Sequence, residues 1–272
     1  MTSERARIYA WRLLILVVLI GSWEWLTGIK AISKTPGLYW LDPFFISRPS
    51  VILKRFAYLL SGEVRLTLWQ MALSTVQATL WGFVVGVSTG FVAGLVLGRN
   101  DRLARIFEPY IVAFNSLPRI ALVPLITMIF GFGLVAKVVL AWTIVFFIVF
   151  FNTFQGARSV DADLIHSARF LGASERHVMT TVIVPSALAW TFASLTPSIS
   201  FALIGVVVGE FLGGESGGGL GYLIIQSLGT LNAADMMVAL LSLGVIGVVM
   251  ALGIKQLETR LLRWRPEYQD RA

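Results

Sequence analysis

Two histidines and no cysteine bound the chemistry open to this chain. His166 and His177 stand eleven residues apart in the stretch SVDADLIHSARFLGASERHVMTTVIVP, without a carboxylate or thiol at metal-ligand spacing, so no metal site is expected. Asp161 and Asp163 alternate by two, which sends them to different faces of a helix; they suit a helix start better than an acid/base pair. No Gly-x-Ser-x-Gly elbow occurs, and Ser216 in GGESGGG has no histidine in its compartment. The same glycines are not followed by Lys-Ser/Thr and do not succeed a strand pattern, which excludes a phosphate loop. No catalytic residue is expected, and the chain is not read as an enzyme.

Charges inside apolar runs carry more information. Asn115, Pro118, Arg119 and Pro124 share one run. Each proline removes a backbone donor, and a central arginine costs about 2.5–3.5 kcal/mol on insertion scales, so a broken helix with Arg119 turned to protein or water is expected. Arg119, beside Asn115, either lines a translocation cavity and favours an anion, or satisfies carbonyls freed by Pro118, or snorkels outward. Glu210 is either a gate residue or a helix-end carboxylate at the interface. Lys137, just after GFG, is read as the anchor of a span end, and the glycines after Glu210 as a re-entrant turn that permits close backbone approach.

The elements that position these residues follow from composition. Hydrophobic residues make up 57% of the 272, charged residues 14%, and mean hydropathy is +0.80. The apolar runs leave no block for a separate soluble core. Runs of about 20 residues give six candidate spans: 11–29, 74–97, 106–130, 134–154, 187–208 and 236–254. The fold class is therefore all-α, a polytopic membrane protein with six transmembrane helices. An even number puts both tails on one side. Most of the 22 Lys and Arg fall in the N-terminal tail, in 99–105, in 158–176 and in the C-terminal tail, which assigns tails and polar loop to the cytoplasm.

Residues 30–66, with FFISRPSVILKRFAYLLSGEV mixing aromatic and basic residues, are expected along the membrane surface outside. The first apolar run lacks a small-residue cleavage site and has Glu24 and Trp25 where one would stand, so it is read as a retained helix. A net charge of +7 suits anionic lipid; no interleaving of aromatic and phosphate-binding residues argues for nucleic acid. Gly82, Gly86, Gly90, Gly94 and Gly98 form a ladder with a four-residue step, a face on which helices pack closely in lipid. It is read first as packing within the subunit, with a homodimer seam or a sliding surface as the alternatives.

The polar stretch reads as an amphipathic hairpin. Leu164, Ala168 and Leu171 recur at i, i+4 and i+7 as one helical stripe, with Asp163, His166 and Arg169 on other faces. Gly172 supplies a left-handed helix end, Ser174-Glu175 a new start, and Pro185 the passage into the next apolar segment. Such a stripe needs a partner.

The spacing Ala168, Gly172, Val182, Val184-Pro185 resembles the EAA loop of ATP-binding-cassette importer permeases. NSLPRIALVPLITMIFGFGLVAK before it and VVGEFLGGESGGGLGYLI after it are similar to the branch serving nitrate, sulfonate, taurine, bicarbonate and pyrimidine-type substrates. Together these cover roughly residues 66–258. Where the family usually has Glu-Ala-Ala this chain has His166-Ser167-Ala168, and His166 keeps the capacity to hydrogen-bond.

The resemblance implies a type I importer permease fold, organised as 1–65 (tail, first helix and interfacial segment), 66–258 (permease domain with coupling loop 157–185) and 259–272 (basic tail). It implies a multi-pass protein of the bacterial inner membrane, with residues 161–172 seated in a groove of a separate ATPase. ATP and Mg would belong to that partner, and no cofactor to this chain. A second permease copy, a periplasmic or lipid-anchored solute-binding protein and membrane lipid complete the implied partners. An ion-gradient carrier or channel is the alternative, and a membrane scaffold a third; Glu24 and Glu108 near span ends and Glu210 just past one are the only carboxylates the spans offer for a gradient-driven relay.

Overall fold

The computed structural model describes residues 2–29, 35, 37–214 and 218–262. Expectations for Ser216 and for the end of the basic tail from residue 263 lie outside the described residues, as do 30–34 and 36 of the interfacial segment. Within hydrocarbon every backbone group must find a partner in the protein, and apolar runs of about 20 residues meet that demand as helices. The described residues are accordingly helical without strands. Among the described residues five helices are long and apolar enough to cross a membrane: α1 (Thr2–Leu26), α3 (Leu68–Arg99), α6 (Leu134–Arg158), α8 (Val184–Leu212) and α10 (Ala233–Leu261). The sixth expected span is two helices, α4 (Asp101–Ser116) and α5 (Val123–Phe130), with a 3-10 turn Arg119–Leu122 between them and a bend of 84°. Shorter helices are α2 (Pro49–Leu60), α7 (Ala162–Phe170) and α9 (Leu220–Gly229).

The chain forms two compact units. One comprises residues 1–72 and 223–243. There Glu24 of α1 accepts from Ser50 at the start of α2 through both backbone N–H (2.9 Å) and hydroxyl (2.8 Å), and Arg48 donates to Thr27 O at 3.1 Å. Arg55 of α2 grips Asp235 with both carboxylate oxygens engaged, at 2.7 and 2.6 Å. That bond raises the Arg55 guanidinium above its ordinary pKa. Asn232 fixes the carboxylate from the other side at 2.8 Å. On α2, Ile52 and Leu59 are buried, while Leu53, Phe56 and Leu60 are exposed.

The second unit, residues 73–222 and 244–272, is built on α6. Its core joins Ala78 and Phe83 of α3, Ala141, Val145 and Val149 of α6, and Leu195, Ile199, Ala202 and Val206 of α8. The glycine ladder lies on this contact. A Cβ at Gly86, Gly90, Gly94 or Gly98 would stand 2.6–2.8 Å from Val145, Phe146 O, Phe150 O or Ala157, and one at Gly82 would overlap Ala141. Gly205 of α8 makes a similar approach from its side, 3.2 Å from Ala141 Cα. In lipid these approaches gain dispersion contact that larger residues would prevent. Thr153 and Thr191 share a buried 2.7 Å hydrogen bond between α6 and α8.

Candidate functional site

The polar hairpin is capped at each turn. Asp161 accepts from Asp163 N at 2.9 Å and opens α7. Gly172, at φ +83°, closes it: Gly172 N donates to Arg169 O and Ala173 N to Ala168 O, the paired bonds of a Schellman end. Ser174 caps the one-turn helix Glu175–Val178, and a π turn Met179–Ile183 carries the chain into α8, where Pro185 sits in the first turn. The π turn lets Val184 N reach Met179 O just before the residue that has no donor.

The expected single stripe is divided. Ala168, with Ile165, packs on a core of buried Ala157, Val178, Ile183 and Ala187. Leu164 and Leu171 stand outside it, 56% and 88% exposed. At 100° per residue Ala168 falls between Ile165 and Leu164, so it lies on the border of two faces, one covered by the chain itself and one not. Phe170, which the stripe omits, is 92% exposed. Asp163, His166 and Ser167 are exposed on the same helix.

An ionic staple orients the hairpin. Glu175 accepts from Arg169 at 2.7 Å and from Arg99, at the end of α3, at 3.1 Å. Glu175 precedes the apolar part of α8, and these two arginines, Arg169 first, hold its carboxyl below the usual carboxylate range. Arg158, which ends α6, pairs with Asp101 at the start of α4.

At the bend, Arg119 lies within reach of the chain end it follows. It donates to Asn115 O at 3.0 Å and to the Asn115 side chain at 2.7 Å, and its guanidinium lies 5.1 Å from the Phe147 ring centroid. Asn115 O is one of the carbonyls left without a helical donor where α4 stops before Pro118. Arg119 therefore caps α4, and also borders a small apolar cavity of about 30 Å³ with Ile144, Ile204 and Val208.

Glu210 is completely buried and forms an ion pair with Lys137 at 3.0 Å. This burial matches neither the reading of Glu210 as a helix-end carboxylate at the interface nor that of Lys137 as a span-end anchor. Lys137 lies one turn inside α6 with its side chain 4% exposed, because Gly209 gives α8 room to come against it. Thr75 donates its hydroxyl to Glu210 at 2.9 Å and accepts from Leu220 N at 3.0 Å, and Gly221 N donates to Glu210 at 2.9 Å. Lys137 also donates to Ser74 Oγ (3.0 Å) and Gly218 O (3.4 Å). A carboxylate thus neutralises the first N–H groups of α9, where negative charge is favoured. Glycine is required on the loop: a Cβ at Gly219 would overlap the Glu210 carboxylate, and one at Gly221 would stand 2.6 Å from Val207 O. Nothing in the sequence brings Ser74, Thr75 and Lys137 together with Glu210 beyond their being polar residues in or beside apolar runs.

Among the described residues no group of three His, Asp or Glu is arranged to hold a metal ion. Together these arrangements are an exposed apolar knob on a stapled hairpin, a broken helix, and a buried ion pair against a glycine loop.

Residues 86–263 match the family described as binding-protein-dependent transport system inner membrane component. The putative aliphatic sulfonates transport permease protein SsuC of Bacillus subtilis is 30% identical over 264 residues, 96% of this chain and 90% of its own length. The riboflavin transport system permease protein RibX of Chloroflexus aurantiacus is 33% identical over 221 residues, 81% of each chain. In fold, an inward-facing structure of the MetNI methionine ABC transporter superposes with a TM-score of 0.57, covering 75% of this chain and 97% of that one at 22% identity.

Proposed function

The chain belongs to the family of binding-protein-dependent transport system inner membrane components, permease subunits of ATP-binding-cassette importers, and we propose that it forms the translocation path for a small solute of the nitrate, sulfonate, taurine, bicarbonate or pyrimidine-like class. It is a multi-pass transport subunit and not an enzyme. ATP and Mg are held by a partner ATPase, a solute-binding protein delivers the substrate from outside, and two copies of this chain face one another. Tails and hairpin lie in the cytoplasm. The charge distribution supports that orientation.

The hairpin couples the chain to the ATPase. The observation that carries this is the knob of Leu164, Phe170 and Leu171, exposed on a segment whose inner face is already packed. Desolvating three such side chains on a partner is worth about 1.5–3 kcal/mol each. The staple of Glu175 with Arg169 and Arg99 ties that knob to α3. Nucleotide-driven closure of the ATPases would draw two hairpins together and transmit the motion into α3 and α8. Transport follows only if solute binds the inward- and outward-facing states differently. The half-buried Arg119 at the bend supports a substrate carrying an oxyanion, and the sulfonate relative fits the same reading.

The test is purification of a tagged copy in mild detergent, with and without Leu164→Asp and Gly172→Trp. An ATP-binding-cassette subunit should co-purify with the wild type and be lost with either variant. Retention of that subunit by both variants would remove the hairpin from the coupling role.

A further inference from the structure

A groove of about 210 Å³ lies between the end of α3, the first turns of α4 and the last turns of α6, with Ile111, Phe151 and Phe154 on its walls and Arg105, Glu108 and Arg158 also lining it. Its α6 wall is a row of packed rings. Phe150 stacks on Phe154 with centroids 5.9 Å apart and meets Phe151 edge-on at 5.2 Å. The α4 wall continues outward as exposed Ile106, Tyr110 and Val112. At about 30 Å³ for a water-sized group the groove holds about seven, a stretch of acyl chain.

The charged residues are arranged differently. Arg158 lies 5.0 Å over the Phe154 ring and pairs with Asp101. Arg105 has no ion pair among the described residues, and Arg102 lies one turn before it on the same helix face. A basic group at the end of an apolar slot between membrane helices matches a phosphate joined to a hydrocarbon tail. A soluble anion would leave the aromatic wall without a partner, and a neutral lipid would leave Arg105 without one.

We propose that this groove binds an anionic phospholipid, its acyl chain against Phe151 and Phe154 and its phosphate at Arg105, since Arg158 is already paired with Asp101. Glu108 opposes the phosphate and weakens the site. The bound lipid would brace α4 against α6 beside the bend at Arg119, so lipid charge would tune the broken helix.

The proposal is tested by placing benzoylphenylalanine at position 151 or, separately, 111 of the full chain in membranes containing phosphatidylethanolamine, phosphatidylglycerol and cardiolipin. After irradiation the adducts are identified by mass. Anionic phospholipid should be enriched about fivefold over its share of the membrane, the effect expected for one arginine near the surface. Arg105→Gln should bring the enrichment to about one, and Glu108→Gln should increase it. The opposite signs separate charge recognition from loss of folding. Adducts that mirror membrane composition and ignore both substitutions, or adducts to a second copy of the chain, would overturn the proposal.

Discussion

Replacing Lys137 with methionine tests whether the buried ion pair is a latch on the glycine loop. The substitution keeps an unbranched side chain of similar length and removes the charge. Glu210 is then left fully buried with Thr75 and Gly221 N as its remaining donors. Breaking a buried pair from one side costs about 3–5 kcal/mol, because the surviving charge stays desolvated. At about 2–4 °C per kcal/mol for chains approaching this size, the melting temperature should fall by roughly 10 °C. Adding Glu210→Gln removes the stranded charge while keeping an acceptor for Gly221 N. The double variant should therefore recover more than half of the loss. Unfolding followed through the nine tryptophans in detergent gives all corners of the cycle. If Lys137→Met melts within about 2 °C of the wild type, or the two substitutions simply add, the pair is not coupled and the latch reasoning is wrong.

Gly90→Leu should abolish accumulation of folded protein, since even its Cβ would stand 2.7 Å from Phe146 O; Gly253→Leu, with nothing within 4 Å, should leave expression unchanged, and quantitative membrane fractionation checks both. Arg119→Met should lower stability by about 1–3 kcal/mol through the Asn115 carbonyl it uncovers. Transport measured beside melting separates that capping role from a role in solute passage, which would show as lost uptake in a variant restored to wild-type stability. Arg55→Met should cost about 1.5–2 kcal/mol, the lower part of the range for hydrogen bonds to charged groups because the pair is partly exposed. Unfolding in denaturant measures it.

The membrane class, the helical fold and the six-fold pattern of apolar runs were legible because a bilayer imposes one length and one secondary structure on them. The break at Pro118 was legible as well, since Pro118 and Pro124, on either side of Arg119, remove two backbone donors within seven residues, whereas Pro109 alone is accommodated inside α4. The glycine ladder announced close packing, and only the structure gives its neighbour as α6. The latch was not readable: Glu210 is 73 residues from Lys137 and 135 from Thr75, and no local period links residues so far apart. The hairpin lay between these cases. Its caps follow from Asp161, Gly172 and Ser174, but a stripe of three apolar residues does not tell which of them the chain covers for itself. Ala168 is small enough to fit the internal core, whereas Phe170 falls off the stripe and yet stands almost wholly exposed.

Because the chain contains no cysteine, single cysteines report cleanly on contacts. The most direct test of the import reading introduces one at Phe170 and one, separately, at Leu53 of α2, both exposed, and treats native membranes with a short bifunctional maleimide. The expected result is a cross-link from position 170 to an ATP-binding-cassette subunit, altered by nucleotide, and none to that subunit from position 53. A cross-link to the ATPase from position 53 with none from 170 would contradict both the coupling role of the hairpin and the orientation of the chain.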